Sequence, residues 1–301
     1  MREAVIDVGS NSVLLLVEEL GPEGWTLIDE DTSVTALGEG TRSTGRLNPE
    51  RMGQTLEALQ RMFARAKALG AEVRAAATMA VRIASNAEEF LDLCRKQGTP
   101  VEVISGEEEA RLGFESVARD PLFGRFDRIS IVDPGGHSTE LLTATRGAEW
   151  EIAFKNSFPV GTLGLKSDVL TDESPGPDQI LEAIRRIDDL ISDKWAGIDP
   201  GVVVVLGATG TNLISIREAL ETWKPERVHG SYLSFEEVSR AVGWLMPLKD
   251  ADRAAIKGME NGRERTIHIG ALILERFLHV VKAEGCYVSV KGWRHAMLEG
   301  R

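Results

Sequence analysis

The sequence predicts an α/β protein of two similar halves, each a mixed sheet flanked by helices. Two observations carry that expectation. The first is a turn written twice. "VIDVGSNSVLLL" (5–16) and "IVDPGGHSTELL" (131–142) align Asp7 with Asp133, Gly9 with Gly135 and Ser12 with Ser138, at a constant offset of 126 residues. The second is the order of elements after each copy: hairpins joined by short turns, then strands alternating with helices.

In the first half, strands over 4–8, 12–20 and 25–34 are separated by the Gly-Ser-Asn turn and by "GPEGW", the pattern of an antiparallel meander. A helix comes next, with Asn48 and Pro49 as cap and first turn and Gly70 as its stop. A strand over 72–78, a helix over 86–97, a strand over 101–104 and a helix opening at Ser105 complete this half. After Asp127 the programme restarts with strands over 128–133, 138–145 and 150–156. A helix over 176–194, the strand "GVVVVLG" and several further helices complete the second half. The expected domains are 1–125 and 126–301. The apolar helix "HIGALILERFLHVVKAEG" (268–285) is expected in the core.

At 301 residues, 43% hydrophobic and 27% charged, the chain suits two globular domains. Its net charge of −12 argues against general nucleic-acid binding, which needs a broad basic face. An anionic small substrate remains open, because backbone N–H groups and a few arginines can hold phosphate locally. No apolar run approaches the roughly 20 residues of a membrane span, and "MREAVIDVGS" has no leader pattern. A cytoplasmic protein without membrane attachment is expected. Cys94 and Cys286 are expected to be buried free thiols.

The repeated turns suggest phosphate chemistry. A strand that ends in Asp and runs into small residues leaves a carboxylate at its end and exposes successive N–H groups that can nest an anion. The carboxylate can hold Mg2+, directly or through water, and the metal can bridge to phosphate oxygens. A hairpin turn using Asp and Gly for geometry alone would look similar; two copies, each opening a half, weigh against it. A third loop, "LGATGT" (206–211), joins a buried strand to a helix, whose N-terminus attracts anions. It lacks the lysine of the Walker pattern.

Taken together these features resemble the superfamily of sugar kinases, Hsp70 and actin. More closely, the chain resembles the exopolyphosphatase and guanosine pentaphosphate phosphohydrolase (Ppx/GppA) family. The resemblance runs through "VIDVGSNSVLLLV", "LGEG" (37–40), "ATMAVRIASN" (77–86), "EVISGEEEARLGFESV" (102–117) and "VDPGGHSTEL" (132–141). It continues in "SFPVGTLGL", "LGATGT", "VHGSYLSFEE" and "VSVKGWRHAML". It implies two duplicated ribonuclease H-like (actin-like ATPase) domains with the active site in the cleft between them.

By the same resemblance Glu109, immediately before Ala-Arg, is the general base, while Glu107 and Glu108 serve as surface or capping groups. Arg82 is implied as a phosphate partner, with Thr78 and Asn86 shaping its segment. Asp7, Asp133 and Glu140 are implied as Mg2+ carboxylates, acting largely through water. Ser10, Asn11 and Ser12, then Gly135, Gly136, His137 and Ser138, then Gly207, Thr209, Gly210 and Thr211 are implied to cradle phosphates. The implied reaction is hydrolysis of terminal phosphate from polyphosphate. Guanosine pentaphosphate hydrolysis, a kinase of the superfamily and a non-catalytic regulator that binds polyphosphate or (p)ppGpp are the alternatives. A homodimer is also implied.

The chain departs from the family pattern at several places. Pro134 and His137 interrupt the usual glycine run of the second turn, and His137 either faces solvent, contacts ligand or ligates metal. Gly164 stands where Arg is common, Arg265 and Val290 where acids are common, and His295-Ala296 where Glu-Gly is usual. The chain also stops at Arg301, before the helical domain that long family members carry, which suggests a preference for short polyphosphate.

Overall fold

The computed structural model describes residues 1–195 and 197–299. Its contacts divide the chain into two compact units, Met1–Leu112 with the segment from Trp293 onward, and Gly113–Gly292.

In the first unit β1 (Arg2–Val8), β2 (Ser12–Gly21) and β3 (Gly24–Val34) form the expected meander. After α1 (Thr41–Thr44) comes α2 (Pro49–Ala68). As the sequence predicts, Pro49 opens α2 and the Asn48 side chain accepts from the N–H groups of Glu50 and Arg51. Then come β4 (Glu72–Ala77), α3 (Met79–Ile83), α4 (Ala87–Lys96), β5 (Glu102–Val103) and α5 (Gly106–Ala118). The strand order is β3-β2-β1-β4-β5, with β4 and β5 parallel to β1.

The alternation of side chains along a strand builds two cores here. Ala4, Ile6, Val8, Leu15 and Val17 pack with Met52, Leu59, Met62 and Phe63 of α2. Val5 and Leu16, pointing the other way, pack with Leu112 of α5 and with Trp293, Ala296 and Leu298.

The second unit repeats the programme with β6 (Arg128–Pro134), β7 (Thr139–Arg146) and β8 (Trp150–Phe158). It continues through α6 (Thr162–Asp168), α7 (Pro177–Ser192), β9 (Val202–Val205), α8 (Gly207–Arg217), α9 (Pro225–Val228) and β10 (Tyr232–Ser234). Last are α10 (Phe235–Leu245), α11 (Asp250–Ala254), α12 (Ile267–Val281) and β11 (Gly285–Val288). The order is β10-β11-β9-β6-β7-β8, so β6, β7, β8 and β9 repeat the pairing of β1, β2, β3 and β4. Val132, Leu141 and Val205 face a core with α7, α10 and α12, while Ile131, Leu142 and Val204 face Phe114, Val117 and Phe123.

As expected, α12 is buried along almost its whole length and both cysteines are buried thiols. The helix stops earlier than predicted: Lys282 takes φ 59°, a left-handed cap. The expected strand 101–104 shrinks to two residues. The two compact units also differ from the expected extents 1–125 and 126–301. The division falls within α5, because Phe114 and Val117 pack under the second sheet, whereas the terminal helix α13 (Trp293–Glu299) packs on β1. Among the described residues no helix is long and apolar enough to cross a membrane.

Candidate functional site

Both turns close in the same way. The Gly9 N–H donates to the Ser12 carbonyl at 2.9 Å, and the Gly135 N–H to the Ser138 carbonyl at 2.8 Å. A β-carbon at Gly9 or Gly135 would stand 3.0 or 2.9 Å from those same oxygens, which is why both positions are glycine. The correspondence extends to the segments that brace the turns. Gly38 N–H donates to Ser10 O at 2.8 Å, and Gly164 N–H to Gly136 O at 3.2 Å, again 126 residues apart in donor and acceptor.

Further N–H groups donate to turn carbonyls, those of Thr35 and Ala36 to Asn11 O, that of Thr162 to Gly135 O and that of Leu163 to Gly136 O. Carbonyl dipoles that would repel an anion are thereby tied into the protein. Gly164, which stands where the family often has Arg, contributes its backbone to this brace.

In the first unit Ser10, Asn11, Ser12 and Asp7 are all buried. Asp7 Oδ1, Asn11 Nδ2 and Ser12 Oγ have no hydrogen-bond partner within the protein. Such atoms cost about 1–3 kcal/mol each when buried, so three at one turn mark it as a candidate binding position. Burial pushes the Asp7 carboxyl up to about 7, opposed by the nearby Arg294 guanidinium and by the Trp293 indole N–H that Asp7 accepts.

In the second unit Asp133 lies directly across the ladder from Glu140, and Glu140 across from Ser157. Directly paired residues share a face of the sheet, and like charges so placed repel. Glu140 is buried and accepts a 2.7 Å hydrogen bond from Ser157 Oγ. The place that corresponds to Glu140 in the first unit, across from Asp7, is held by Leu14. Gly207, exposed and at φ 73°, lies against the Asp133 carboxylate at the start of α8.

His137 does not face solvent as one expectation had it; it is 2% exposed. Gly161 packs on its backbone so closely that a β-carbon there would stand 2.5 Å from His137 N. Ser138 is buried beside it.

The third loop differs from its expectation, since Gly207–Thr211 is already the first turn of α8. Gly210 packs on Val205, and Thr209 is buried against Gly270. The Thr211 hydroxyl lies 3.4 Å from the carbonyls of Gly207 and Ala208. Thr209 and Gly210 therefore serve the helix–sheet packing, and Gly207 is the residue of this set that reaches a carboxylate.

Glu109, expected as the base, and Arg82, expected as a phosphate partner, lie near each other. Arg82 Nη1 donates to Ile104 O at 2.6 Å and lies 3.8 Å from Glu109 Oε2. Their neighbours agree with expectation. Glu108 pairs with Arg111 and its N–H caps on Ser105 Oγ, while Glu107 is exposed. Thr78 N–H donates to Val8 O, and the Asn86 side chain both accepts from and donates to the backbone of Leu47.

The three carboxylates expected to hold metal fall in two units, Asp7 in the first and Asp133 and Glu140 in the second. Among the described residues no three His, Cys, Asp or Glu side chains gather into a cage. What they present is the unpartnered Asp7 oxygen and the opposed Asp133–Glu140 pair. Sequence reasoning missed Trp293, Arg294 and Ser157. The stretch "KGWRHAML" stood in view, but nothing in its local pattern shows that it returns to the first strand.

The Ppx/GppA phosphatase family profile matches residues 16–300. Exopolyphosphatase 1 of Mycobacterium tuberculosis (strain H37Rv) is 29% identical over 308 residues, covering 100% of this chain and 87% of that protein. Exopolyphosphatase 2 of the same strain is 26% identical over 314 residues, covering 99% and 97%. The crystal structure of the Aquifex aeolicus family member superposes with a TM-score of 0.80 at 28% identity, covering 100% and 97%. That of an exopolyphosphatase from Cytophaga hutchinsonii, at 24% identity and covering 99% and 96%, shares the fold with a TM-score of 0.88. With its duplicated actin-like α/β units and a match along nearly its whole length, the chain belongs to the Ppx/GppA phosphatase family of phosphoanhydride hydrolases.

Proposed function

We propose that the chain is a cytoplasmic exopolyphosphatase that hydrolyses the terminal phosphate of inorganic polyphosphate with Mg2+. The observation that carries this reading is the first turn, where Asp7 Oδ1, Asn11 Nδ2 and Ser12 Oγ are buried together without protein partners. One acceptor and two donors in that arrangement suit a cation beside a phosphate chain. Bound Mg2+ would be held by Asp7, Asp133 and Glu140 and would neutralise charge on the phosphate oxygens. Ser10, Asn11 and Ser12 bind phosphate oxygens from one turn; Gly135, Gly136, His137 and Ser138 bind them from the other.

Glu109 orients a water and takes its proton as the water oxygen bonds to the terminal phosphorus. The anhydride P–O bond breaks, and the shortened chain leaves with the electron pair. Arg82 holds Glu109 by charge and fixes the start of its helix through Ile104 O.

Glu109→Gln tests the base: turnover falls by orders of magnitude while polyphosphate affinity persists. Full retained activity would remove Glu109 from the mechanism. The substrate is tested by phosphate release from polyphosphates of defined length, pppGpp and ATP with Mg2+. Fastest release from polyphosphate is expected. A preference for pppGpp would replace the substrate, and binding without any release would make the chain a regulator.

A further inference from the structure

The row Asp133–Glu140–Ser157 runs straight across three neighbouring strands, and only its last member has no role in the reading above. The protein supplies its own comparison. In the first unit, the β2–β3 pair across from Asp7 is Leu14 and Thr32, so the same hairpin folds without a carboxylate. The Glu140–Ser157 pair is therefore not required by the architecture. Glu140 is 2% exposed and sits opposite a second carboxylate, a costly place for an acid unless its oxygens are held and its charge is compensated.

Ser157 Oγ holds one of those oxygens, Oε1, at 2.7 Å. A hydroxyl can donate only one hydrogen, so this contact spends the Ser157 donor on Glu140.

We propose that Ser157 is a positioning residue for the cation seat of the second unit. Its hydroxyl fixes the rotamer of Glu140 so that Glu140 and Asp133 meet one divalent cation together. The proposal rests on the reading of Glu140 as a metal carboxylate. Ser157 itself is exposed on β8, so its replacement leaves the core intact. Partners that orient a metal-binding carboxylate typically cost about 10- to 100-fold in metal affinity when removed.

The test is Mg2+ and Mn2+ binding to the full chain by calorimetry, without substrate, for wild type, Ser157→Ala, Ser157→Thr, Ser157→Val and Glu140→Gln. Ser157→Ala is expected to weaken Mg2+ binding at least 10-fold with little change in Tm. Ser157→Thr keeps the hydroxyl and should bind as wild type, while Ser157→Val, of the same shape, should bind like Ser157→Ala. The Thr–Val comparison decides the matter if alanine perturbs the strand. Wild-type affinity in Ser157→Ala and Ser157→Val, alongside loss in Glu140→Gln, would overturn the role of Ser157 alone. Wild-type affinity in Glu140→Gln would instead overturn the premise that Glu140 binds metal.

Discussion

Gly207 and Asp133 are in contact across the end of the second sheet: a β-carbon at 207 would stand 2.7 Å from Asp133 Oδ1. Gly207 also has φ 73°, a conformation that costs an L-residue about 1–2 kcal/mol. Gly207→Ala therefore strains the backbone and pushes the carboxylate aside. Expected outcomes are a Tm lower by several degrees and a weaker response to Mg2+, with half-maximal activity reached at a Mg2+ concentration at least fivefold higher. Unchanged Mg2+ dependence would show that Asp133 can be displaced without consequence.

Arg82 does two things at once, reaching Ile104 O at 2.6 Å and Glu109 Oε2 at 3.8 Å. Arg82→Ala should lower kcat at least tenfold, about 1.4 kcal/mol in the barrier. Arg82→Lys should recover only part, since both contacts run from Nη1 at the tip of the guanidinium, and an ammonium on its shorter stem does not occupy that place. Steady-state kinetics of the two variants check this. Equal activity in both would reduce Arg82 to a structural tie.

Arg253 is fully buried, and its donors are spent within the protein. Nε reaches Glu264 O at 2.6 Å. Nη1 reaches Leu245 O and Leu248 O, and Nη2 reaches Glu173 O and Asp250 Oδ1. Several stretches of chain before α12 are thereby pinned to one guanidinium. Arg253→Lys leaves several carbonyls without partners and should cost about 3–5 kcal/mol, read as a shift in the urea midpoint at constant m. A loss below about 1 kcal/mol would mean that water replaces the guanidinium.

His268 gives the fold an acid-side weakness. Burial first, then the charges of Arg253 and Lys166, lower its pKa from 6.5 to about 3. The unfolded chain takes a proton on this histidine below about pH 6.5, whereas the folded chain refuses it until about pH 3. Stability from this group is thus complete above 6.5 and falls with pH, approaching about 1.4 kcal/mol per unit. In His268→Leu that slope should vanish between those limits. Chemical denaturation from about pH 7 to about pH 4 measures the difference, and parallel profiles would refute it.

The duplication was legible because Asp7, Gly9 and Ser12 recur as letters in Asp133, Gly135 and Ser138. The Gly38–Ser10 and Gly164–Gly136 braces obey the same offset but lie in segments that share few letters, so only their hydrogen bonds reveal them. The helix cap at Asn48 was legible because capping is local. Arg253 was not, since an arginine in a short polar helix signals solvent until its carbonyl partners are seen. In the "LGATGT" segment the start of α8 at Gly207 was not legible, because small residues suit a loop before a helix and tight helix–sheet packing equally. Trp293 and Ser157 escaped notice because their partners, Asp7 and Glu140, are set by chain return and by strand register, neither of which is written locally.

The packing of α13 on Val5 and Leu16 bears on how the chain is made. On a ribosome the first sheet emerges early, with Leu112 of α5 soon after it, yet Trp293, Ala296 and Leu298, which complete the cover of one of its faces, are translated only after the second unit. At about 5–20 residues per second, synthesis of the intervening segment leaves that apolar face only partly covered for on the order of ten seconds or more. The first half must wait for a helix made after the second, and nascent-chain chaperones have in Val5, Leu16 and Ala76 a defined surface to guard until it arrives.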